Sequence, residues 1–278
     1  DSNEATFQIN VVDKEPNLNW ANYTTGNLNA SAQDNSGNIF TSGNFTFSNF
    51  IDDSALGAVS SDGLSDGYVA KYNTDGDLQW VSTSPVFGGE VSVGSDGNII
   101  VLGGIRGLVT FDDGSTLDSG SSTDFKIVVT KLDSSDGSII WKRLIEASRL
   151  YAMNLALTSN DDIIISGMYQ NPASLLSGDN YFFKVSYVDG SIIVDDKILT
   201  NVNSSDSVSA ANELIIDNND NIIITGGYYG LLDADLSSGV TSIGSASGNM
   251  SQTYMIKYDS NFELVWSMTF NSTTPTVG

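Results

Sequence analysis

Aspartate is the side chain through which this sequence could do chemistry. Its 278 residues hold 34 acidic against 11 basic side chains, with no histidine and no cysteine. Thiol catalysis, imidazole bases and the usual zinc ligand sets are thereby excluded. Two oxygen-rich stretches, DSSD with Asp133 and Asp136 and DNND with Asp217 and Asp220, could offer carboxylate and carbonyl ligands to calcium, as could Asp52-Asp53. None has the ligand spacing of an EF-hand loop, so calcium is a metal the chain could hold and not one it requires. No other cofactor is implied. Two carboxylates held at a defined separation, one with a shifted pKa, could also hydrolyse or eliminate. Nearly every aspartate here, however, sits among Asn, Ser and Gly, where a hydrogen-bonded turn accounts for it. There is no GxSxG nucleophile elbow either. The sequence therefore reads as non-enzymatic, with a carboxylate hydrolase or lyase as one alternative.

The elements that carry these aspartates recur. Asp124 to Trp141 (DFKIVVTKLDSSDGSIIW) is an alternating apolar run, a polar turn and a second run closed by tryptophan, the pattern of a β-hairpin. The same design is found at Asp66 to Trp80 and Gln252 to Trp266, and more weakly at Asp179 to Val194. A second hairpin precedes each copy, as in VSVGSDGNIIVLGG from Val91 to Gly104. One repeat thus predicts four antiparallel strands in meander order. Complete repeats run over about 30–83, 90–144, 152–197 and 210–270, and residues 1–24 form a partial repeat ending near Trp20. Between Glu146 and Leu157 several helix formers occur, but the repeat places a strand there. The joint between the second and third strands varies most in length, which makes it the place for binding residues. Phe47, Phe111, Tyr169, Tyr228 and Tyr229 are the aromatic candidates.

Repeated sheets of this size bury both faces by stacking around an axis, so the expected fold is all-β, a β-propeller of four-stranded blades forming a single domain over 1–278, either by itself or as part of a longer chain. Trp80, Trp141 and Trp266, with Trp20 as their partial counterpart, are expected to cover the seams between blades. Gly76, Gly97, Gly137 and Gly190 are expected to take positive φ in Asp-Gly turns. A lysine recurs at Lys71, Lys131, Lys184 and Lys257, nine or ten residues before the tryptophan position. Local pairing with aspartate is the preferred reading, and a ring of positive charge for an anionic ligand is the alternative.

SDGNIIVLGG followed by DFKIVVTKLDSSDGSIIW resembles the bacterial β-propeller repeat family called SBBP, over roughly residues 30 to 270. That resemblance implies a secreted or surface-attached bacterial protein in which the repeats serve as a structural or binding module. LDSSDGSIIW also resembles the tryptophan-docking motif of quinoprotein propellers, which implies shared blade packing; the repeats are too few for the quinone site.

The formal charge of -23 opposes binding to nucleic acid or an acidic membrane. No run of 18 apolar residues is present to span a bilayer. The expected function is a non-enzymatic structural or adhesive module, secreted or at the cell surface, whose partner is a surface or matrix protein, a glycan, or a second copy of itself. A lectin-like glycan-binding propeller and a self-assembling filament or array subunit are the remaining alternatives.

Overall fold

A computed structural model describes residues 26–45, 66–84, 86–111, 113–122, 125–146, 150–170, 178–202, 208–244 and 252–270. Every regular element among them is a β-strand. The partial repeat at 1–24, with Trp20, and the candidates Phe47 and Asp52-Asp53 lie outside the described residues.

The first sheet is the meander β1 (Asn27–Gln33), β2 (Ile39–Phe45), β3 (Asp66–Tyr72) and β4 (Leu78–Ser84). A second sheet is built from β5 (Phe87–Val93), β6 (Ile99–Arg106), β9 (Phe125–Leu132) and β10 (Ile139–Leu144). The two short strands β7 (Leu108–Thr110) and β8 (Thr116–Asp118) pair separately. The third repeat supplies β11 (Leu150–Leu157), β12 (Ile163–Gln170), β13 (Gly178–Val185) and β14 (Ile192–Asn201). The fourth supplies β15 (Val208–Ile216), β16 (Ile222–Tyr228), β17 (Leu231–Asp233), β18 (Ser242–Gly244), β19 (Gln252–Tyr258) and β20 (Leu264–Phe270). Within the stretch with helix formers, Leu150–Leu157 is strand β11.

The expected closed propeller is overturned by how these strands pair. A blade is a sheet of its own whose edges stay unpaired. Here β13 also pairs β15, at Gly178↔Val208, and β14 pairs β17, so the third and fourth repeats merge into one ten-stranded sheet. The strands fall into four sheets, and none is closed into a barrel or strongly curled. The fold is all-β with open sheets.

The chain divides into two compact units. One comprises residues 1–105, 109–117 and 130–140, the other residues 106–108, 118–129 and 141–278. In the first, Phe40, Val69 and Trp80 bury against Val91, Ile99, Val101 and Leu132, while Phe45, Tyr68, Ala70 and Tyr72 form a second cluster. In the second, Ile164, Phe182, Leu214, Ile224, Tyr254 and Tyr258 centre one large core. The joint of the fourth repeat belongs to that core. Leu232, Ala234 and Leu236 are buried in it, and the Ala234 carbonyl accepts the Tyr258 hydroxyl at 3.0 Å.

Most hairpins close in one of two ways. In the three-residue loops, the first residue's N–H reaches the fifth carbonyl and the fourth N–H returns to the first carbonyl, as in Asp34–Asn38, Gly94–Asn98 and Asp217–Asn221. The fourth residue then sits left-handed, the type I turn with a glycine bulge. Gly37, Gly76 and Gly97 fill it at φ 84 to 86°, but Asp161, Asp220 and Phe262 fill it at 60 to 64°. The loops Asp133–Ser138 and Ser186–Ser191 are one residue longer and put Gly137 and Gly190 at φ 75° and 69°.

These longer loops receive the tryptophans. Trp80 donates its indole N–H to the Ser134 carbonyl at 3.1 Å, and a Cβ on Gly137 would stand 2.8 Å from its ring. Within the second unit, Trp141 donates to the Tyr187 carbonyl at 3.1 Å, and a Cβ on Gly190 would stand 2.8 Å from the ring. A methyl group at Gly137 therefore meets two obstacles, the positive φ and the indole. At Gly97 the nearest atom to a Cβ is Ser134 Oγ at 3.7 Å, so φ alone opposes substitution. Gly97→Ala should destabilise by about 1 kcal/mol and Gly137→Ala by roughly 2–4 kcal/mol in urea unfolding. Equal losses would show that the ring does not press on the turn.

Candidate functional site

The four carboxylates with calcium-like spacing are taken up by donors of the chain, those of Asp133 and Asp136 within their own hairpin and those of Asp217 and Asp220 partly or wholly from other hairpins. Asp133 accepts the Ser135 N–H at 2.8 Å and the Ser135 hydroxyl at 2.6 Å, and Asp136 accepts the Ser138 N–H at 2.9 Å. Asp217 accepts the N–H groups of Asn219 and Asn221, the Asn221 amide and, at 2.6 Å, the Lys257 ammonium. Asp220 takes the Ser159 N–H and hydroxyl, both at 2.6 Å. Donors aimed at a carboxylate favour its ionised form. Lys257, and after it Asn221, holds the Asp217 carboxyl well below the usual range, and Ser135 and Ser159 lower those of Asp133 and Asp220. At Asp189 the Ser191 N–H and hydroxyl bring the value down to about 2. Among the described residues, no three acidic side chains come together as a metal would need.

The recurring lysines have local partners. Lys131 pairs with Asp96 at 3.1 Å, Lys184 with Asp162 at 3.0 Å and Lys257 with Asp217. Lys71 instead donates to the Ser134 carbonyl at 2.8 Å and lies 5.5 Å from the centre of the Phe40 ring. In three of the four repeats the acid comes from the turn between the first two strands. No ring of free positive charge results.

The aromatic candidates divide differently from the expectation. Phe111 is buried, its backbone closing the Phe111–Ser115 turn. Tyr228 is fully buried and donates its hydroxyl to Gln252. Tyr169 stands on β12, paired with Leu150 and Asp179. Tyr229 is exposed. A cavity of about 40 Å³ beside Tyr68, Val69, Thr130 and Leu132 has room for little more than water.

The feature that sequence reasoning missed is one face of the ten-stranded sheet. Residues directly opposite in antiparallel pairing share a face. In the first sheet that rule aligns Ala32, Phe40, Lys71 and Trp80 in one row. In the fourth repeat it aligns Ile215, Ile223, Lys257 and Trp266. The rows match position for position, yet their surroundings do not. Phe40 and Trp80 are 0% and 7% exposed, covered by Val91, Ile99, Val101 and Leu132. Ile215 and Trp266 are 51% and 37% exposed, and Met268 and Phe270, next on the same face of β20, are 47% and 52% exposed. Trp266 was expected to cover a seam; it lies open, and its indole N–H has no acceptor among the described residues. The exposed apolar side chains of β20 are chemically suited to contact with another apolar surface.

No family model matches the chain, and no curated protein matches it. Membership of the SBBP repeat family is thereby not upheld, in keeping with the unclosed sheets. Among solved structures, a protein of unknown function from Bacteroides caccae is 12% identical, with a TM-score of 0.33 over 90% of this chain and 84% of that one. The Dos1 propeller is 13% identical, with a TM-score of 0.30 over 90% and 86%. TcdA4 of Morganella morganii is 9% identical, with a TM-score of 0.33 over 91% of this chain and 14% of that one. Likenesses at this level carry no argument about fold or function.

The Asp217–Lys257 pair gives the site a pH signature. A carboxyl whose folded pKa is depressed adds stability above its unfolded value, near 3.9, and loses it as pH falls toward the folded value. The melting temperature of Asp217→Asn should therefore lie furthest below wild type at pH 6–7, and the two should converge progressively below about pH 4. A gap that stays constant down to about pH 2 would show that the carboxylate charge contributes nothing.

Proposed function

We propose that this chain is a non-enzymatic adhesive module of a secreted or cell-surface protein, and that it acts through the open face of β15, β16, β19 and β20. The observation that carries the reading is the row Trp266, Met268 and Phe270, exposed where the matching row of the first sheet is covered. Composition supports the extracellular setting, since a charge of -23 keeps a large β domain soluble and separate. No helix among the described residues is long and apolar enough to cross a membrane. The carboxylates support the non-enzymatic part of the reading: hydrogen-bond donors, from Lys257 at Asp217 and from serines at Asp133, Asp189 and Asp220, hold these groups ionised, while burial raises Asp179.

Adhesion can be measured with beads coated with the chain and brought to surfaces carrying proteins or polysaccharides. Wild-type beads should adhere to one or more protein surfaces. Met268→Asp should abolish this and Tyr229→Ala should leave it intact. Adhesion that depends on Tyr229 and is competed by free sugar would replace the proposal with glycan binding. Turnover of glycoside, ester or peptide substrates would replace it with an enzyme.

A further inference from the structure

We infer that Val194 and Phe262 form an interlock between the third and fourth repeats, in which the two halves of the tryptophan–glycine contact have changed places. In the earlier junctions the ring stands on the last strand of one repeat, and the recess lies in the turn between the last two strands of the next. Trp80 of β4 lies against Gly137, and Trp141 of β10 lies against Gly190. The same step from the third repeat leads from Val194 on β14 to the turn Asp259–Glu263, where Phe262 holds the left-handed position at φ 64°. Here the strand carries the small side chain and the turn carries the ring.

Cross-strand pairing places the ring where this exchange requires it. Ala156, Ile164, Lys184 and Val194 stand opposite one another in β11 to β14, the row that corresponds to Ala32, Phe40, Lys71 and Trp80. Phe182, two residues from Lys184 on β13, shares that face. Phe262 is 2% exposed and its ring centre lies 6.3 Å from that of Phe182; Ala156 and Val194 pack against the core cluster to which both phenylalanines belong. A ring of the fourth repeat is thus seated on the face of the third. Holding phenylalanine left-handed disfavours folding by roughly fivefold to thirtyfold, whereas burying its ring favours folding by about a hundredfold or more. Packing wins, which accounts for an aromatic residue where other three-residue loops place glycine or aspartate. The exchange also makes the junctions non-interchangeable. Val194 set against Gly190 would leave a void, and Trp80 or Trp141 set against Phe262 would collide with it, so the fourth repeat accepts the third and neither of the others. The keyed junction is the one at which the sheets merge, through β13 with β15 and β14 with β17.

Urea unfolding of the full chain tests the interlock. Phe262→Gly should lower the folding equilibrium constant at least about tenfold even though it relieves the left-handed strain. Val194→Trp should lower it at least about tenfold by overpacking. The double variant should recover at least about tenfold of the product of the two losses, because the indole enters the space that the phenyl ring leaves. If the double variant does not fold, the milder cycle of Val194→Ala with Phe262→Leu decides, and a coupling of at least about threefold between the two changes is expected there. Losses that simply multiply would overturn the inference, leaving Phe262 a core residue of its own repeat. A gain in stability from Phe262→Gly would overturn it too, since the ring would then contribute less than its strained backbone costs.

Discussion

The contact between a tryptophan ring and the glycine of a distant hairpin turn is the constraint on which much of this structure depends. Trp80 and Trp141 each make it, and each adds an indole hydrogen bond to a carbonyl of the same turn. The turn must then satisfy two conditions together. Its glycine has to be left-handed to close a four-residue loop, and it has to lack a side chain because the indole occupies that space. The three-residue loops face only the first condition, so Asp161, Asp220 and Phe262 can stand where Gly37, Gly76 and Gly97 stand in others. Lys71 reinforces the Trp80 contact by donating to the same Ser134 carbonyl that receives the indole. One carbonyl thus fixes a β3 side chain and a β4 side chain against a turn more than fifty residues away.

The acidity of the chain follows in large part from the same turns. Asp34, Asp217 and Asp259 each accept the N–H groups two and four residues ahead, and Asn73 does the same with its amide oxygen. An Asn can replace an Asp in this role, which shows that the oxygen matters for the turn and the charge does not. Charge is used only where a second partner is present, as when Asp217 reaches Lys257 or Asp96 reaches Lys131. The separation of these two uses explains why sequence spacing suggested metal sites: clusters such as DSSD and DNND arise whenever a hairpin loop is built from turn-forming residues.

Local structure was legible in the sequence to the extent that it is local. Alternation of apolar residues in Phe125–Leu132 and Gln252–Tyr258 marks strands, and Asp-Gly pairs mark left-handed turns, because both signals are written in neighbouring residues. The lysine pairing was legible too, since Lys184 and Lys257 recur in step with acids in the preceding turn. The merging of the third and fourth repeats was not. It rests on backbone pairing at Gly178↔Val208 and between β14 and β17, and backbone hydrogen bonds leave no side-chain pattern. Strands of three residues such as β7 and β17 are too short to show a period, so the joint of the fourth repeat read as a loop for binding when it supplies Leu232, Ala234 and Leu236 to the core. Tyr228 was misread for the same reason: its burial is set by Gln252 and Tyr254, which lie more than twenty residues away.

The open face shows why one repeat motif can have two destinies. Lys71 with Trp80 and Lys257 with Trp266 have the same spacing and the same cross-strand pairing, so nothing in either segment distinguishes a covered tryptophan from an exposed one. The third repeat places Val194 opposite Lys184, and that smaller side chain packs against the core of its unit. A strand in this position therefore does not need tryptophan to fold. On β20 the chain nevertheless sets Trp266, Met268 and Phe270 on one face, large flexible and aromatic side chains whose partial exposure to water is unfavourable. Burial against another apolar surface would recover that free energy. Whether such a row is covered or exposed is therefore set by what surrounds the strand and not by the segment's own sequence.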